Sequence, residues 1–294
     1  MRLSTRGVHG ASRLISAMRA LIMAAVFLGL SGLVAAPTAS AATPMKVVIV
    51  VGPTGSGTAR NITDAKQLAA QARGYGATVV EVYSPNATWS KVRAAAQGAD
   101  IFIYMGHGSG WPSPYKPFSA DRADGLGLNA TAKHGNLNVK YYGESYLRKY
   151  LHFAPNSIVL LRGLCYSAGN SEPGKVAPSA AVGKARVDNY AAGFLRTGAK
   201  AVFAEPYGGV SYVLDWVFTG DTTVRDIFTT GGGFGGGFGG GHGWGQPAGN
   251  SMTATTFTSK RTPWATVISD RDSGGKFRRS VVGNLDLTAA AVRG

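Results

Sequence analysis

From Met45 onward the chain alternates between short apolar runs and stretches in which apolar residues recur every three or four positions. The runs are KVVIVVG, ATVVEVYSP, DIFIYMGHG, SIVLLRGLCYS and KAVFAEPYG. Each is close to continuously apolar, as expected of a strand covered on both faces by helices. Between them, ITDAKQLAAQARGYG places Ile62, Ala65, Leu68, Ala69 and Ala72 at helical spacing, with Asn61 or Thr63 able to cap its start. NATWSKVRAAAQGA and NYAAGFLRTGA read as further helices. This alternation predicts an α/β domain with a mostly parallel central sheet and helices on both faces. In such sheets functional residues gather at the carboxyl ends of the strands.

Other stretches depart from this rhythm. Residues 109–155 form a long connection rich in Gly, Pro, Asn and Tyr, with one short helix expected around GESYLRKYL. VSYVLDWVFTGDTTVRDIFTT reads as partly helical and completes a domain assigned to 45–230. Residues 231–249 are a Gly-rich, low-complexity segment punctuated by aromatics. The tail, 250–294, is polar until KFRRSVVGNLDL, a strand-like amphipathic piece expected to pack back on the domain. At the other end, Arg2, Arg6, Arg13 and Arg19 precede the apolar run LIMAAVFLGLSGLVAA and a small-residue site, Ala39–Ala41. Residues 1–41 therefore read as a secretory signal peptide, the alternative being an uncleaved anchor. Secretion, extracellular or to the cell wall, is the localisation this implies.

The chain carries a formal charge of +15, and about +11 remains once the four leader arginines are set aside. Such a balance suits an anionic cell-wall polymer as a weak partner, or serves solubility alone. Lys and Arg are scattered, and no basic stripe interleaved with aromatics marks a nucleic-acid surface. A single cysteine, Cys165, rules out an internal disulfide, so stability must come from an apolar core.

VVIVVGPTGSGTARN has the layout of a phosphate-binding loop, with Gly52 and Gly57 at the required separation. Thr58 stands where the phosphate-binding lysine is needed, and Ala59 where the magnesium-binding hydroxyl is needed. The loop keeps the glycines without the groups that do the chemistry, and no nucleotide is expected. Metal spacings such as C-x-x-C and H-E-x-x-H are absent, as is the G-x-S-x-G elbow. Asp121, Asp124 and Asn129 do not follow calcium-loop spacing and read as an acidic turn. No metal or cofactor is expected.

Two strand ends carry the candidate chemistry. IFIYMGHGSG places His107 just past the third run, and IVLLRGLCYSAGN places Cys165 just past the fourth. In a parallel sheet these ends share one edge, and neighbouring strands would bring imidazole and thiol together. A thiolate attacks an acyl carbon while the imidazole moves the proton, and backbone amides stabilise the oxyanion. The amides of Gly108 and Cys165 are the candidate donors. His134, His152 and His242 have no comparable setting. Taken singly, each dyad residue would read as structural; the pairing of strand ends makes the catalytic reading.

An apolar strand ending in His-Gly, followed some fifty to sixty residues later by one ending in Cys, resembles the caspase-like cysteine peptidases, among them caspases, metacaspases, legumains, gingipains and separases. The resemblance spans roughly Met45 to Tyr207. It implies a caspase-like three-layer sandwich, His107 as general acid/base, Cys165 as nucleophile, and Gly108 and Cys165 as oxyanion donors. Caspases carry Gln-Ala before the cysteine, whereas Gly163 takes the glutamine position here, so aspartate preference is not implied. HGSGWPSPY and LCYSAGNSEPG also resemble secreted actinobacterial proteins. On this basis the chain reads as a secreted cysteine endopeptidase acting on protein or peptide. The alternative is a non-catalytic surface or cell-wall-binding module with a degenerate caspase-like fold. Arg60, Trp111, Gly163 and Glu205 are candidate substrate contacts. Glu172 could meet a basic side chain or pair with a surface arginine, and Tyr115 could wall a groove.

Overall fold

The computed structural model describes residues 43–230 and 252–294. The expected signal peptide, the Gly-rich segment and His242 lie outside the described residues. The unit Pro44–Gly294 is built on an eight-stranded sheet of order β2-β1-β3-β6-β7-β10-β9-β8. Strands β1 (Lys46–Val51), β2 (Thr78–Tyr83), β3 (Ile101–Met105), β6 (Ile158–Arg162) and β7 (Ala201–Glu205) are mutually parallel. They are the five predicted apolar runs. The tail then supplies β8 (Thr253–Thr258), β9 (Thr266–Arg271) and β10 (Phe277–Gly283), an antiparallel extension joined to the parallel part by the β10–β7 ladder.

Strand periodicity sorts side chains into two cores. Val48 and Val50 face one side, where they meet residues of α2 (Trp89–Ala96), α3 (Glu144–Tyr150) and α4 (Ala180–Leu195). Val47, Ile49 and Val51 face the other, against α1 (Thr58–Gly74), α5 (Ser211–Thr219), α6 (Val224–Thr230) and α7 (Ala289–Arg293). Helices therefore cover both faces of a mostly parallel sheet, and the protein is α/β. Helix α1 buries Ala65, Leu68, Ala69 and Ala72, the i, i+3, i+4, i+7 set read from the sequence. Helix α4 begins at Ser179, whose hydroxyl accepts from the Val182 amide. It starts nine residues before the predicted NYAAGFLRTGA stretch.

Two elements depart from expectation. The long 109–155 connection contains, besides α3, a small hairpin of β4 (Leu126–Asn129) and β5 (Val139–Tyr142). The tail holds three strands rather than one. β8, with sequence TATTFT, is an edge strand, and its alternation of Thr with apolar residues is weak. β9 ends in Ser269–Asp270–Arg271, and buried Asp270 is satisfied by Arg279 of β10 at 2.7 Å. That pairing lies across strands and is invisible to local patterning.

Candidate active site

The parallel ladders end on one rung, Tyr83–Val51–Met105–Arg162–Glu205. The chain leaves β1, β3 and β6 through Gly52, Gly106 and Gly163. Because β3 and β6 are direct neighbours, His107 and Cys165 emerge side by side at the carboxyl edge. The contact there is intimate. A Cβ on Gly108 would lie 1.9 Å from the Cys165 carbonyl oxygen and 3.1 Å from its nitrogen. Only glycine lets the segment after His107 lie against the cysteine backbone at this distance.

The same argument explains the glycines of the phosphate-loop-like stretch. A Cβ on Gly52 would lie 2.2 Å from the Gly127 carbonyl of β4, so this glycine serves backbone packing. Three glycine amides of the loop are already engaged: Gly52 donates to Met105, Gly55 to Asn136 and Gly57 to Thr54. What sequence reading left unassigned at this edge is Tyr104, the one polar side chain in IFIYM, which is fully buried. Its hydroxyl accepts from the Gly127 amide at 2.8 Å. It donates toward the carbonyls of Gly127 (2.9 Å) and His107 (3.1 Å). One phenol thus fastens the β4 edge and the His107 main chain to β3.

The segment after His107 is held from above by α4. Arg186 Nε donates to Pro112 O at 2.7 Å, Asn189 Nδ2 to Trp111 O at 2.9 Å and Tyr190 OH to Gly125 O at 2.7 Å. These residues stand at i, i+3 and i+4, one face of the helix. Asp124 completes the clamp: its amide donates to Ser109 O and its Oδ1 accepts from Trp111 N. Burial pushes the Asp124 carboxyl up to about 8, Glu144 adding to the shift while the Trp111 amide and Arg261 oppose it. Asp121 accepts from Ser145 and Asn129 accepts from Ala87, so each member of the acidic turn is engaged locally. Among the described residues no group of three or more His, Cys, Asp or Glu is placed to hold a metal.

Cys165 is a free, half-buried thiol. Burial pushes it up to about 11, with the negative charge of Glu172 adding to the shift and its own backbone amide opposing it. His107 keeps an exposed edge, yet the protein packed around its ring lowers it below the ordinary histidine value, with Glu172 opposing. No hydrogen bond joins the two side chains among those of the described residues. Both shifts favour the neutral thiol and the neutral imidazole over an ion pair. Among the described residues the amides of Gly108 and Cys165 donate to no carbonyl of another residue.

No protein-family model matches this chain, and no curated protein matches it. The geometry alone therefore assigns the remaining candidates. A cleft of about 200 Å³ beside Gly108 is lined by Trp111, Tyr115, Tyr141, Tyr166 and Glu172 among others. Trp111, a candidate substrate contact, is one of its walls. Gly163 adopts φ +74° with open space where a side chain would point. Arg60 is exposed in the first turn of α1 and does not line this cleft. Glu205 corrects an expectation: it is buried, accepts from Tyr212 OH at 2.7 Å and lines neither cleft at this edge. The carboxylate that does face the cleft is Glu172. Among the described residues it enters no ion pair and is bonded by tyrosine hydroxyls instead of an arginine.

Proposed function

We propose that this chain is an exported cysteine endopeptidase of caspase-like type, with Cys165 as nucleophile and His107 as acid/base. The observation that carries the reading is the seating of the His107–Gly108 segment on the Cys165 main chain, at the carboxyl ends of adjacent parallel strands. A sheet with helices on both faces and His-Gly and Cys at neighbouring strand ends is the arrangement the caspase-like resemblance implies.

In this mechanism the imidazole accepts the thiol proton as sulfur attacks the scissile carbonyl, so the S–C bond forms as the S–H bond breaks. The tetrahedral oxyanion is held by the Gly108 and Cys165 amides. Collapse breaks the C–N bond, and the imidazolium gives its proton to the departing amine. Water then hydrolyses the thioester with His107 as base, restoring the thiol. Because both shifts favour a neutral resting pair, proton transfer accompanies attack instead of preceding it.

The test is covalent labelling with a thiol-directed peptide inhibitor. Wild-type protein is expected to label at Cys165, and Cys165→Ala to lose the label while keeping its circular dichroism and melting temperature. Persistent labelling of the variant would defeat the assignment. A neutral, half-buried thiol with no hydrogen bond to His107 favours one second reading, a non-catalytic module that binds anionic cell-wall polymer. That reading predicts polymer binding indifferent to Cys165→Ala and no labelling of the wild type at neutral pH.

A further inference from the structure

Lys and Arg are scattered along the chain, yet the fold gathers several of them on one flank. Residues 84–99 and 130–153 carry Lys91, Arg93, Lys133, Lys140, Arg148 and Lys149 against one acid, Glu144. The two stretches are tied together: the Lys133 amide donates to Pro85 O, and Gln97 Nε2 donates to Tyr150 O at 2.9 Å. Glu144 is buried and takes Arg261 at 2.7 Å, so it does not offset the flank. Asp121 bonds Ser145 at the start of α3, whereas Lys149 stands in its last turn. All six cations are exposed, and among the described residues none of them enters an ion pair.

Three of these charges are seated on an aromatic cluster built from three elements. Trp89 of α2 stacks on Tyr142 of β5 with ring centroids 4.9 Å apart, and it meets Tyr146 and Tyr150 of α3 edge-on at 5.5 and 6.1 Å. The Arg93 guanidinium lies 5.0 Å from the centre of the Tyr150 ring and Lys149 Nζ 5.2 Å from the same centre. Lys140 Nζ lies 5.3 Å from the centre of Tyr142. Helix dipoles account for Arg93 and Lys149, which stand in last turns, but not for Lys140 on a strand. The rings hold the cations in place without neutralising them, which pre-orders them for an anion. Packed on one another and under the cations, the rings leave little surface on which a base could stack.

We propose that this flank docks an anionic cell-wall polymer, a flexible chain carrying phosphodiester charge and no bases. The proposal rests on the reading of the chain as exported for the words cell wall, and on the flank alone for the anion. Cations on α2, β5 and α3 meet successive phosphates of one chain, and a flexible polymer follows their spacing. Side chains alternate along β5: Tyr141 lines the cleft beside Gly108 and Tyr142 joins the cluster, so a docked chain leaves the cleft open. The dyad is not used, and the flank serves either reading of Cys165. Polymer binding therefore does not decide between those readings; labelling does.

The test titrates the protein into fluorescently tagged poly(glycerol phosphate) across a salt series, read by anisotropy. Two triple variants are compared. Arg93→Gln, Lys140→Gln and Lys149→Gln empty the cluster; Lys66→Gln, Lys200→Gln and Lys260→Gln remove the same charge from exposed positions elsewhere. The cluster variant is expected to bind at least about tenfold more weakly, with the slope of log affinity against log salt shallower by about 2 for three lost contacts. The other triple is expected to stay within about twofold of wild type. Cys165 labelling and melting temperature should match wild type in both. Equal losses in the two triples overturn the proposal, because net charge alone would then explain binding. No binding by the wild type, or tighter binding of single-stranded oligothymidylate than of the polymer, overturns it as well, and neither comparison needs a variant. Loss confined to the cluster triple upholds the flank whether or not Cys165 labels.

Discussion

Tyr104→Phe isolates the contribution of a single oxygen at the centre of the site. The ring stays in a fully buried position of β3, so packing is retained. The hydroxyl takes with it the partner of the Gly127 amide at 2.8 Å and a donor shared by the Gly127 and His107 carbonyls. Gly127 is itself buried, and the space left by one oxygen is too small for a water to replace it. An orphaned buried amide costs about 1–3 kcal/mol and an orphaned carbonyl somewhat less, giving about 3 kcal/mol together. For a domain of this size that corresponds to a fall in melting temperature of about 6–12 °C. The assay is thermal unfolding by circular dichroism, alongside labelling of Cys165. The variant should melt early and label more slowly, because the His107 carbonyl loses its anchor. A melting temperature within about 1 °C of wild type would refute the claim that this phenol holds the edge together.

Two glycines at the same edge should respond oppositely to substitution by alanine. Gly108→Ala drives a methyl to 1.9 Å from the Cys165 carbonyl, so labelling should fall about a hundredfold or more as the His107 segment is pushed away. Gly163→Ala meets open space and pays only for its positive φ, about 1–2 kcal/mol of stability, with labelling retained. Equal effects in the two variants would contradict the packing described. The pH dependence of alkylation tests the electrostatics: burial and Glu172 both disfavour the thiolate, so the rate with iodoacetamide should climb through pH 8–10 toward a midpoint near 11. A plateau already reached below pH 7 would mean a preformed ion pair.

Four of the five parallel strands were legible as nearly unbroken apolar runs, a pattern imposed by helices on both faces, and the half-exposed edge strand β2 by its valines. The placement of His107 and Cys165 followed from reading where those runs stop. Adjacency of β3 and β6 did not follow, since strand order is set by which helix crosses which face. The sequence also hid β4, four residues with a glycine in second place, and the polar strands β8 and β9, whose buried charge is matched only across the ladder. Tyr104 was visible as an anomaly among aliphatic neighbours, and that signal could have been used. The clamp from Arg186, Asn189 and Tyr190 could not, because its partners lie more than sixty positions away. Glu205 misled for a related reason: a carboxylate at a strand end looks exposed until α5 brings Tyr212 over it.

The ladder between β7 and β10 has a bearing on how the molecule is made. Val281 pairs with Phe203, 78 positions earlier, whereas partners in the parallel ladders stand 32 to 57 positions apart. Closing a loop of that length costs about 4 kcal/mol of chain entropy before any contact repays it. Because Phe277–Gly283 follows every parallel strand in the chain, the parallel half, dyad included, can assemble during synthesis while β7 still shows bare amides and carbonyls to its surroundings. An open, apolar edge of this kind invites another chain to pair with it. Nascent protein halted before Phe277 would be the sticky species, and the late-arriving tail is what makes the finished sheet safe in company.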